Sequence, residues 1–239
     1  MTMEPSGDNG RSGTVGAVLL AAGRGKRMGA EINKVYVQLL DKPVLVYSLE
    51  KLLASSFVDE ITLVIDPQDR PLLKEILAER FPSLQGLTVT HGGARRQDSS
   101  LAGVKSLDTD YVLVHDGARP NFSPDLLQRV VRGAMDYGAV LPGIRPIDTI
   151  RKVDRRGWVG EAQSRARLTR VQTPQGFRRE WLARSLREVT QGDLDCPDDA
   201  GALMEVMGIR SRLVEGEEDN IKLTKPGDLD RLEVLMREG

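Results

Sequence analysis

The strongest local signal in the sequence is Val15-Gly-Ala-Val-Leu-Leu-Ala-Ala-Gly-Arg-Gly-Lys-Arg-Met-Gly29, in which an apolar run of strand length leads directly into a loop of glycines and basic residues. Glycine lets the backbone approach a ligand closely, and the N–H groups and cations of such a loop attract phosphate. The stretch therefore predicts a β-strand followed by a nucleotide-binding loop.

The spacing within this loop argues against the two commonest nucleotide-binding motifs. A Walker A loop needs Gly-Lys-Ser or Gly-Lys-Thr, whereas Gly25-Lys26 is followed by Arg27. A dinucleotide fingerprint needs Gly-x-Gly-x-x-Gly and an acidic residue roughly 20 positions later. Here the glycines stand at 23, 25 and 29, and Asp66, the acidic residue that ends the second strand, comes far too late. A P-loop NTPase and an NAD-dependent oxidoreductase are therefore disfavoured.

Short apolar runs of strand length recur along the chain and alternate with segments of helical periodicity. The runs are Ile61 to Ile65, Leu87 to Thr90 and Tyr111 to His115, and one helical segment lies around Val44 to Leu52. This alternation predicts an α/β fold whose mostly parallel central sheet is covered by helices on both faces. Ser123-Pro124-Asp125 predicts the start of another helix, which should end at Gly138.

Two regions depart from the regular alternation. Residues 1–14 have almost nothing to bury and are expected to form a disordered leader, so that the domain spans residues 15–239. Residues 142–172 are charged, punctuated by proline and glycine, and contain Trp158. We interpret them as a β-rich arm that packs against another surface such as a second subunit, with an ordinary surface hairpin as the alternative. Beyond the arm we expect helices from about Arg179, from about Asp198 to Met207 and after Pro226, with a strand near Ser211 to Val214.

Composition excludes several classes of protein. Lys and Arg number 34 against 35 for Asp and Glu, so nothing suggests the cationic face that nucleic-acid binding requires. The single cysteine, Cys196, excludes an intrachain disulfide and a Cys-based zinc site, and with His91 and His115 alone a three-histidine metal site is excluded too. The longest strongly apolar run has eight residues, far fewer than the ~20 that span a bilayer. We therefore expect a soluble, cytoplasmic protein without membrane or nucleic-acid partners.

Three further clusters carry potential chemistry. His115-Asp-Gly-Ala-Arg-Pro120 follows the fourth strand, where Asp116 either positions a metal-bound phosphate or a substrate hydroxyl, or caps a turn. His91-Gly-Gly-Ala-Arg-Arg-Gln-Asp-Ser-Ser100 follows a strand and opens a helix, so it can offer backbone groups to a base or phosphate. Asp219-Asn-Ile-Lys-Leu-Thr224 places Lys222 in a short extended segment, where a solvated lysine is the simpler interpretation.

Six short motifs follow one another between Val15 and Leu235. They are Ala21-Ala-Gly-x-Gly-x-Arg-Met, Gly92-Gly-x-x-Arg-x-x-Ser, His115-Asp-x-Ala-Arg-Pro, Thr173-Pro-Gln, Val214-Glu-Gly and Asp219-Asn-Ile-Lys. Together they resemble the cytidylyltransferase family that activates methylerythritol phosphate in isoprenoid biosynthesis. Six motifs in order are far more specific than any one of them.

The resemblance implies a Rossmann-like nucleotidyltransferase fold and a homodimer formed through the arm. It also implies a reaction in which CTP and 2-C-methyl-D-erythritol 4-phosphate give 4-diphosphocytidyl-2-C-methyl-D-erythritol and pyrophosphate. The implied cofactor is Mg²⁺, held mainly by the CTP phosphates, and no residue of the chain is proposed as a metal ligand.

The resemblance also implies roles for individual residues. Arg27 and Lys34 would hold the triphosphate and stabilise the transition state, while Lys222 would grip the phosphates from the opposite wall. The implied nucleotide contacts are Ala21, Ala22, Gly92, Gly93, Ala94 and Ser99 for cytosine, with Gly23 and Gly117 near the ribose. The implied contacts of the polyol phosphate are Asp116, Arg119, Thr149, Arg165 and Thr173.

The sequence departs from the usual pattern of the family in two motifs. Asn33-Lys34-Val35 replaces Pro-Lys-Gln, which we expect to loosen the loop that carries Lys34. Pro197 replaces a threonine before Asp-x-Ala, which removes a hydroxyl and a backbone donor. We expect both changes to bear on substrate affinity rather than on the type of reaction.

Two other functions remain open at this point. A ribitol-5-phosphate cytidylyltransferase would share the fold and chemistry and act on a different polyol phosphate. A catalytically silent nucleotide-binding regulator belongs to another class, and the presence of Arg27, Lys34 and Lys222 argues against it.

Overall fold

The computed structural model describes residues 13–23 and 33–238. Within them the helices are α1 Val44–Leu53, α2 Arg70–Arg80, α3 Arg96–Lys105, α4 Pro124–Tyr137, α5 Arg179–Gln191, α6 Asp199–Met207 and α7 Gly227–Glu238. The strands are β1 Val15–Ala21, β2 Gln38–Leu39, β3 Lys42–Pro43, β4 Glu60–Ile65, β5 Leu87–His91, β6 Tyr111–Asp116, β7 Ala139–Ile144, β8 Arg151–Val153, β9 Val159–Ala162, β10 Arg170–Val171, β11 Gln175–Arg178 and β12 Arg212–Glu215. Short 3₁₀ turns lie at Lys34–Tyr36, Pro67–Asp69 and Arg165–Arg167.

Eight strands form the central sheet. Strands β5, β4, β1 and β6 lie side by side and are parallel, and β11 pairs antiparallel with both β6 and β7. Strand β7 also pairs antiparallel with β10 and parallel with β12. The mostly parallel sheet and α/β fold predicted from the sequence are therefore confirmed.

Helices cover both faces of this sheet. Successive residues of a strand point to opposite sides, so each strand has side chains to bury on both faces. On one face Val15, Ala17 and Leu19 of β1 belong to a buried apolar cluster that includes residues of α1, α2, α4 and α7. On the other face Val18 packs in a second cluster with residues of α3, α5 and α6. Burial on both sides explains why β1 and β6 read as continuous apolar runs.

The carboxyl ends of the four parallel strands meet at one edge of the sheet. Just beyond β6 the chain is still hydrogen-bonded to β1, since the Gly117 N–H donates to the Leu20 carbonyl at 2.9 Å. Beyond β5 the Gly92 N–H donates to the Ile65 carbonyl at 2.8 Å. The loops that carry the sequence motifs are thereby held together at this edge.

Helix α4 begins and ends where its sequence predicts. The Ser123 side chain caps its first turn by accepting from the Leu126 N–H at 3.0 Å. Gly138 ends it in the left-handed conformation, with φ 76°. The predicted late elements are also present as α5, α6, β12 and α7.

Residues 142–172, the segment interpreted as an arm, contain the two-stranded hairpin of β8 and β9. Their two ends belong to the central sheet, because Pro142 to Ile144 continue β7 and Arg170 and Val171 form β10. A strand through Pro142 was not expected from the sequence. A proline costs a strand one donor, and here the Pro142 carbonyl still accepts from the Gln172 N–H at 2.9 Å.

Most of the leader predicted for residues 1–14 lies outside the described residues. Thr14, at its end, is held by the side chain of Asp110. Its N–H donates to Asp110 Oδ2 at 2.8 Å, and its hydroxyl donates to the same oxygen at 3.0 Å.

Two glycines that end helices provide a matched test of packing. Gly138 has φ +76° and Gly208 has φ +64°, so alanine is strained at both, by about 1–2 kcal/mol. A Cβ at Gly138 would lie 2.4 Å from the Trp181 ring, whereas at Gly208 no described atom lies within 4 Å. We expect Gly138→Ala to lower the free energy of unfolding by about 1–3 kcal/mol more than Gly208→Ala in denaturant titrations. Equal losses would contradict the packing of Trp181 on the end of α4.

Candidate active site

A cleft of about 620 Å³ opens at the carboxyl ends of β1, β4, β5 and β6. This is the position where open α/β sheets bind ligands. The side chains and backbone that line it come from six separate parts of the chain: Leu20, Ala22, Gly23, Lys34, Val35, Asp66, Gly93, Ala94, Arg95, Arg96, Ser99, Asp116, Ala118 and Lys222.

One wall of the cleft is formed by the turn between β5 and α3. The Gly93 N–H donates to Ser99 Oγ at 3.1 Å, and Asp98 accepts from the Arg95 N–H at 3.0 Å, so the turn is fixed by the first residues of the helix. Gly92 packs so closely that a Cβ there would lie 2.3 Å from Ala22 Cβ. Only glycine allows the β1 and β5 loops to approach this closely.

Asp116 lies at the centre of the charged side of the cleft. Lys222 Nζ donates to its Oδ2 at 2.6 Å, and Nε and Nη2 of Arg96 each lie 3.3 Å from its Oδ1. Arg119 Nε is 4.0 Å from Oδ2. Burial by itself raises the pKa of Asp116, but the charges of Arg96 and Lys222 outweigh it and hold the pKa well below its usual range. The carboxylate is therefore ionised at neutral pH.

Thr173 and His115 support Asp116 from behind. The Asp116 N–H donates to Thr173 Oγ1 at 3.1 Å, and Oγ1 lies 3.1 Å from His115 Nδ1. His115 Nε2 is 3.0 Å from the Arg119 carbonyl, which can only accept. We therefore assign the proton to Nε2, so that the threonine hydroxyl donates to Nδ1. Burial lowers the pKa of His115 from 6.5 to about 4, which keeps this arrangement neutral.

The segment 217–224 contributes Lys222 to the lining of the cleft. Lys34 Nζ donates to the Leu223 carbonyl at 2.7 Å, which brings Lys34 and Lys222 to the same cleft. Glu217 ties the segment to the start of α4 by accepting from the Ser123 N–H at 3.0 Å and from Arg129 Nη2 at 3.1 Å. These contacts fix the position from which Lys222 reaches Asp116.

Asn33 anchors the described end of the loop that carries Lys34. Its Nδ2 donates to the Ala21 carbonyl at 2.6 Å and to Asp69 Oδ2 at 3.1 Å, and its Oδ1 caps the following 3₁₀ turn. The predicted loosening by the Asn33 departure finds no support in these contacts. Residues 24–32, including Arg27, lie outside the described residues.

Most of the predicted site residues are brought together, and two are not. The residues that line the cleft are Ala22, Gly23, Lys34, Gly93, Ala94, Ser99, Asp116 and Lys222, with Ala21, Gly92, Gly117, Arg119 and Thr173 directly behind them through the contacts above. Thr149 and Arg165 lie on the exposed arm and do not line this cleft. The Arg165 guanidinium instead donates to the Ile147 carbonyl within the arm.

The cleft suits a metal that arrives on a ligand better than one bound by the protein. Among residues 13–23 and 33–238, no three His, Cys, Asp or Glu side chains cluster as a metal site. Both oxygens of Asp116 already accept from cations. The abundance of cations in the cleft matches a polyphosphate, whose oxygens would hold Mg²⁺.

Comparison with known proteins identifies the family. The family model described as IspD, 2-C-methyl-D-erythritol 4-phosphate cytidylyltransferase, matches residues 15–238. The protein of that name from Pelotomaculum thermopropionicum is 38% identical over 225 residues, which cover 93% of this chain and 94% of the relative. The chain belongs to the 2-C-methyl-D-erythritol 4-phosphate cytidylyltransferase family.

Solved structures with this name have the same fold. The Anaerococcus prevotii 4-diphosphocytidyl-2C-methyl-D-erythritol synthase superimposes with a TM-score of 0.82 at 27% identity, covering 94% of this chain and 96% of the other. The 2-C-methyl-D-erythritol 4-phosphate cytidylyltransferase of Thermus thermophilus gives a TM-score of 0.74 at 29% identity, covering 92% and 98%. The Rossmann-like nucleotidyltransferase fold is therefore confirmed.

Sequence reasoning missed three residues of this cytidylyltransferase site. Arg96 bridges Asp116 to Asp199, and Asn220 donates to the Thr173 carbonyl at 2.9 Å. Arg96 and Asn220 stand within the sequence motifs, which was the available signal for them. Asp199 was visible only as part of an acidic run, which by itself indicates no partner. Burial, and after it the charges of Glu205, Asp195 and Asp198, raise the pKa of the Cys196 thiol.

The neutral His115 gives stability a defined dependence on pH. Its folded-state pKa of about 4 is below the 6.5 of the unfolded chain, so protons favour unfolding and its contribution falls as pH drops from about 6.5 towards 4. We expect the difference in unfolding free energy between the native chain and His115→Gln to shrink over this pH range in denaturant titrations. Parallel pH profiles for the two proteins would rule out the buried neutral imidazole.

Proposed function

We propose that this chain transfers the cytidylyl group of CTP to 2-C-methyl-D-erythritol 4-phosphate and releases pyrophosphate. The observation that carries the proposal is the cleft itself. It joins a glycine-lined wall to Lys34 and Lys222, which converge from distant parts of the chain beside Asp116. The family and the names of its relatives support the same reaction and do not favour ribitol 5-phosphate or a silent regulator.

The chemistry needs positioned cations more than a general base. A phosphate monoester has a second pKa of about 6, so the attacking group is already mostly a dianion at neutral pH. One of its oxygens forms a bond to the α-phosphorus of CTP, and the bond from that phosphorus to the bridging oxygen breaks as pyrophosphate leaves with the electron pair. Lys34, Lys222 and Arg27 are proposed to stabilise the charge that develops. Mg²⁺, held mainly by the phosphates, would supply further positive charge.

His115 is not available as a base in this scheme. Its side chain is fully buried, and both ring nitrogens are engaged, by Thr173 and by the Arg119 carbonyl. Its role is to support the loop that carries Asp116. In our proposal Asp116, Arg119 and Thr173 then contact the polyol phosphate.

The turn at Gly92, Gly93 and Ala94 is proposed to recognise cytosine through backbone groups. A backbone acceptor there pairs with the amino group of cytosine, where uracil presents another acceptor. The unpaired group costs about 1–3 kcal/mol. Gly23 and Gly117 are proposed to lie near the ribose.

Pyrophosphate release tests the proposed reaction directly. With Mg²⁺, we expect release from CTP with 2-C-methyl-D-erythritol 4-phosphate and little with ribitol 5-phosphate. With UTP in place of CTP, we expect kcat/KM to fall roughly 5- to 150-fold, which corresponds to the cost of the unpaired group. Faster turnover of ribitol 5-phosphate would overturn the substrate assignment, and equal rates with UTP would overturn the base pocket.

We also propose that two chains form a homodimer through the arm. Ile147 and Trp158 are 75% and 74% exposed, and an isolated two-stranded hairpin cannot bury such groups. Thr149 and Arg165 do not line the cleft of their own chain, so a twofold contact would allow them to complete the site of the partner.

The predicted absence of nucleic-acid partners and the cytoplasmic location remain predictions. No helix among the described residues has the length and apolarity needed to cross a membrane.

Mixing two inactive variants tests this shared site. A dimer of one Arg165→Ala chain and one Lys34→Ala chain would have one site with both defects and one with neither. After random exchange, half of the dimers are mixed, so about one quarter of the native activity should return. The controls are each variant alone and confirmation of exchange by mass. A monomer at working concentration, or exchange without recovery, would exclude the shared site.

A further inference from the structure

Arg96 connects Asp116 to a second carboxylate that lies outside the cleft. Its Nη1 donates to Asp199 Oδ2 at 2.6 Å, while Nε and Nη2 face Asp116 Oδ1. The Asp199 side chain is 1% exposed, and its Oδ1 has no hydrogen-bond partner among the described atoms. Because a buried carboxylate requires a cation, Asp199 holds the guanidinium firmly in place.

Two cations therefore contact Asp116, and they differ in how firmly they are fixed. Arg96 lies at the start of α3 and is anchored by Asp199, whereas the Lys222 side chain is 36% exposed and carries its ammonium at the end of a flexible stem. Within the part of the chain that the structure describes, Lys222 Nζ donates its hydrogen bond to Asp116. Lys222 is the cation that can leave.

The proposed function gives Lys222 a second task, to grip the phosphates of the substrates. Without Arg96, the departure of Lys222 would leave a nearly buried carboxylate with only Arg119 as a compensating cation, and Arg119 Nε lies 4.0 Å from Asp116 Oδ2. We propose that Arg96, anchored on Asp199, is a positioning residue that retains the Asp116 carboxylate and so releases Lys222 to bind phosphate. This inference rests on the proposed function, in which Lys222 binds phosphate.

The geometry explains why the residue is an arginine. A guanidinium presents donors in a planar fork, so one side chain can bind two carboxylates on different edges. A lysine at position 96 would offer a single ammonium that cannot span both Asp116 and Asp199 in the same way. The Arg96→Lys variant is therefore expected to bind CTP more weakly than the native chain, because a lysine holds the Asp116 carboxylate less well.

The test measures CTP binding by calorimetry with Mg²⁺, without any polyol phosphate. Arg96→Met combined with Asp199→Asn removes one charge of each sign, so the Asp199 carboxylate is not left unpaired and the net charge of the protein is unchanged. We expect this double variant to bind CTP about tenfold more weakly, a typical size for coupled neighbours, because Lys222 stays on Asp116. Adding Lys222→Met to the double variant should then change the Kd for CTP little. The same substitution in the native chain should weaken CTP binding.

A rescue separates this role from a merely structural one. Asp116→Asn should improve CTP binding more in the double variant than in the native chain, because it frees Lys222 only where Arg96 is missing. Asp116→Asn in the native chain is the control, because it measures the gain in CTP affinity that comes from removing a negative charge alone. Equal gains in both backgrounds would overturn the proposal.

Arg179 provides a matched control. It is the first residue of α5, its side chain is 30% exposed against 31% for Arg96, and it lies 3.4 Å from Asp108 at the opposite end of β6. Arg179→Met should lower stability and leave the Kd for CTP unchanged. If the double variant binds CTP as tightly as the native chain does, Arg96 has no such role. Absence of CTP binding by the native chain would instead refute the proposed function.

Discussion

A nearly buried negative charge, the carboxylate of Asp116, constrains everything around the cleft. It ends the central strand β6, so it cannot move away from the sheet, and its burial requires cations nearby. Those cations come from the start of α3, from the segment 217–224 and from the turn after β6. The backbone of Asp116 is held in turn by Thr173 on the chain that leads into β11.

The two walls of the cleft differ in chemistry, because only one of them supplies Lys222 to the Asp116 carboxylate. The wall built from the β5 turn is made of glycine and alanine and approaches β1 closely, which suits a flat base held by backbone groups. The wall built from 217–224 carries the Lys222 ammonium on a segment fastened to α4 by Glu217. A nucleotide with a planar apolar end and an anionic end matches this polarity.

The sequence predicted those parts of the site that depend on local pattern. Strands β1, β4 and β6 are apolar because they are buried on both sides. The rule that ligands bind at the carboxyl ends of parallel strands places Asp116 and Gly93 correctly. The pair of Arg96 and Asp199 is separated by 103 positions and follows no periodicity, so only the folded chain reveals it. Strand β7 was missed because Pro142 signals a break locally, while pairing with β12 and β10 overrides that signal. The roles proposed for Thr149 and Arg165 depend on the proposed dimer, and the fold of one chain does not test them.

The contact between Lys34 and the Leu223 carbonyl joins positions 189 apart, so it can form only late in synthesis. During synthesis the parallel strands and the glycine-lined wall emerge first, and domains generally fold as units as they emerge. Lys222 appears only after about nine-tenths of the chain has been translated. A growing chain thus carries the base-binding wall long before it carries the opposite wall. Premature termination after β12 and before Lys222 leaves a protein that has all eight strands of its sheet and lacks one side of its cleft.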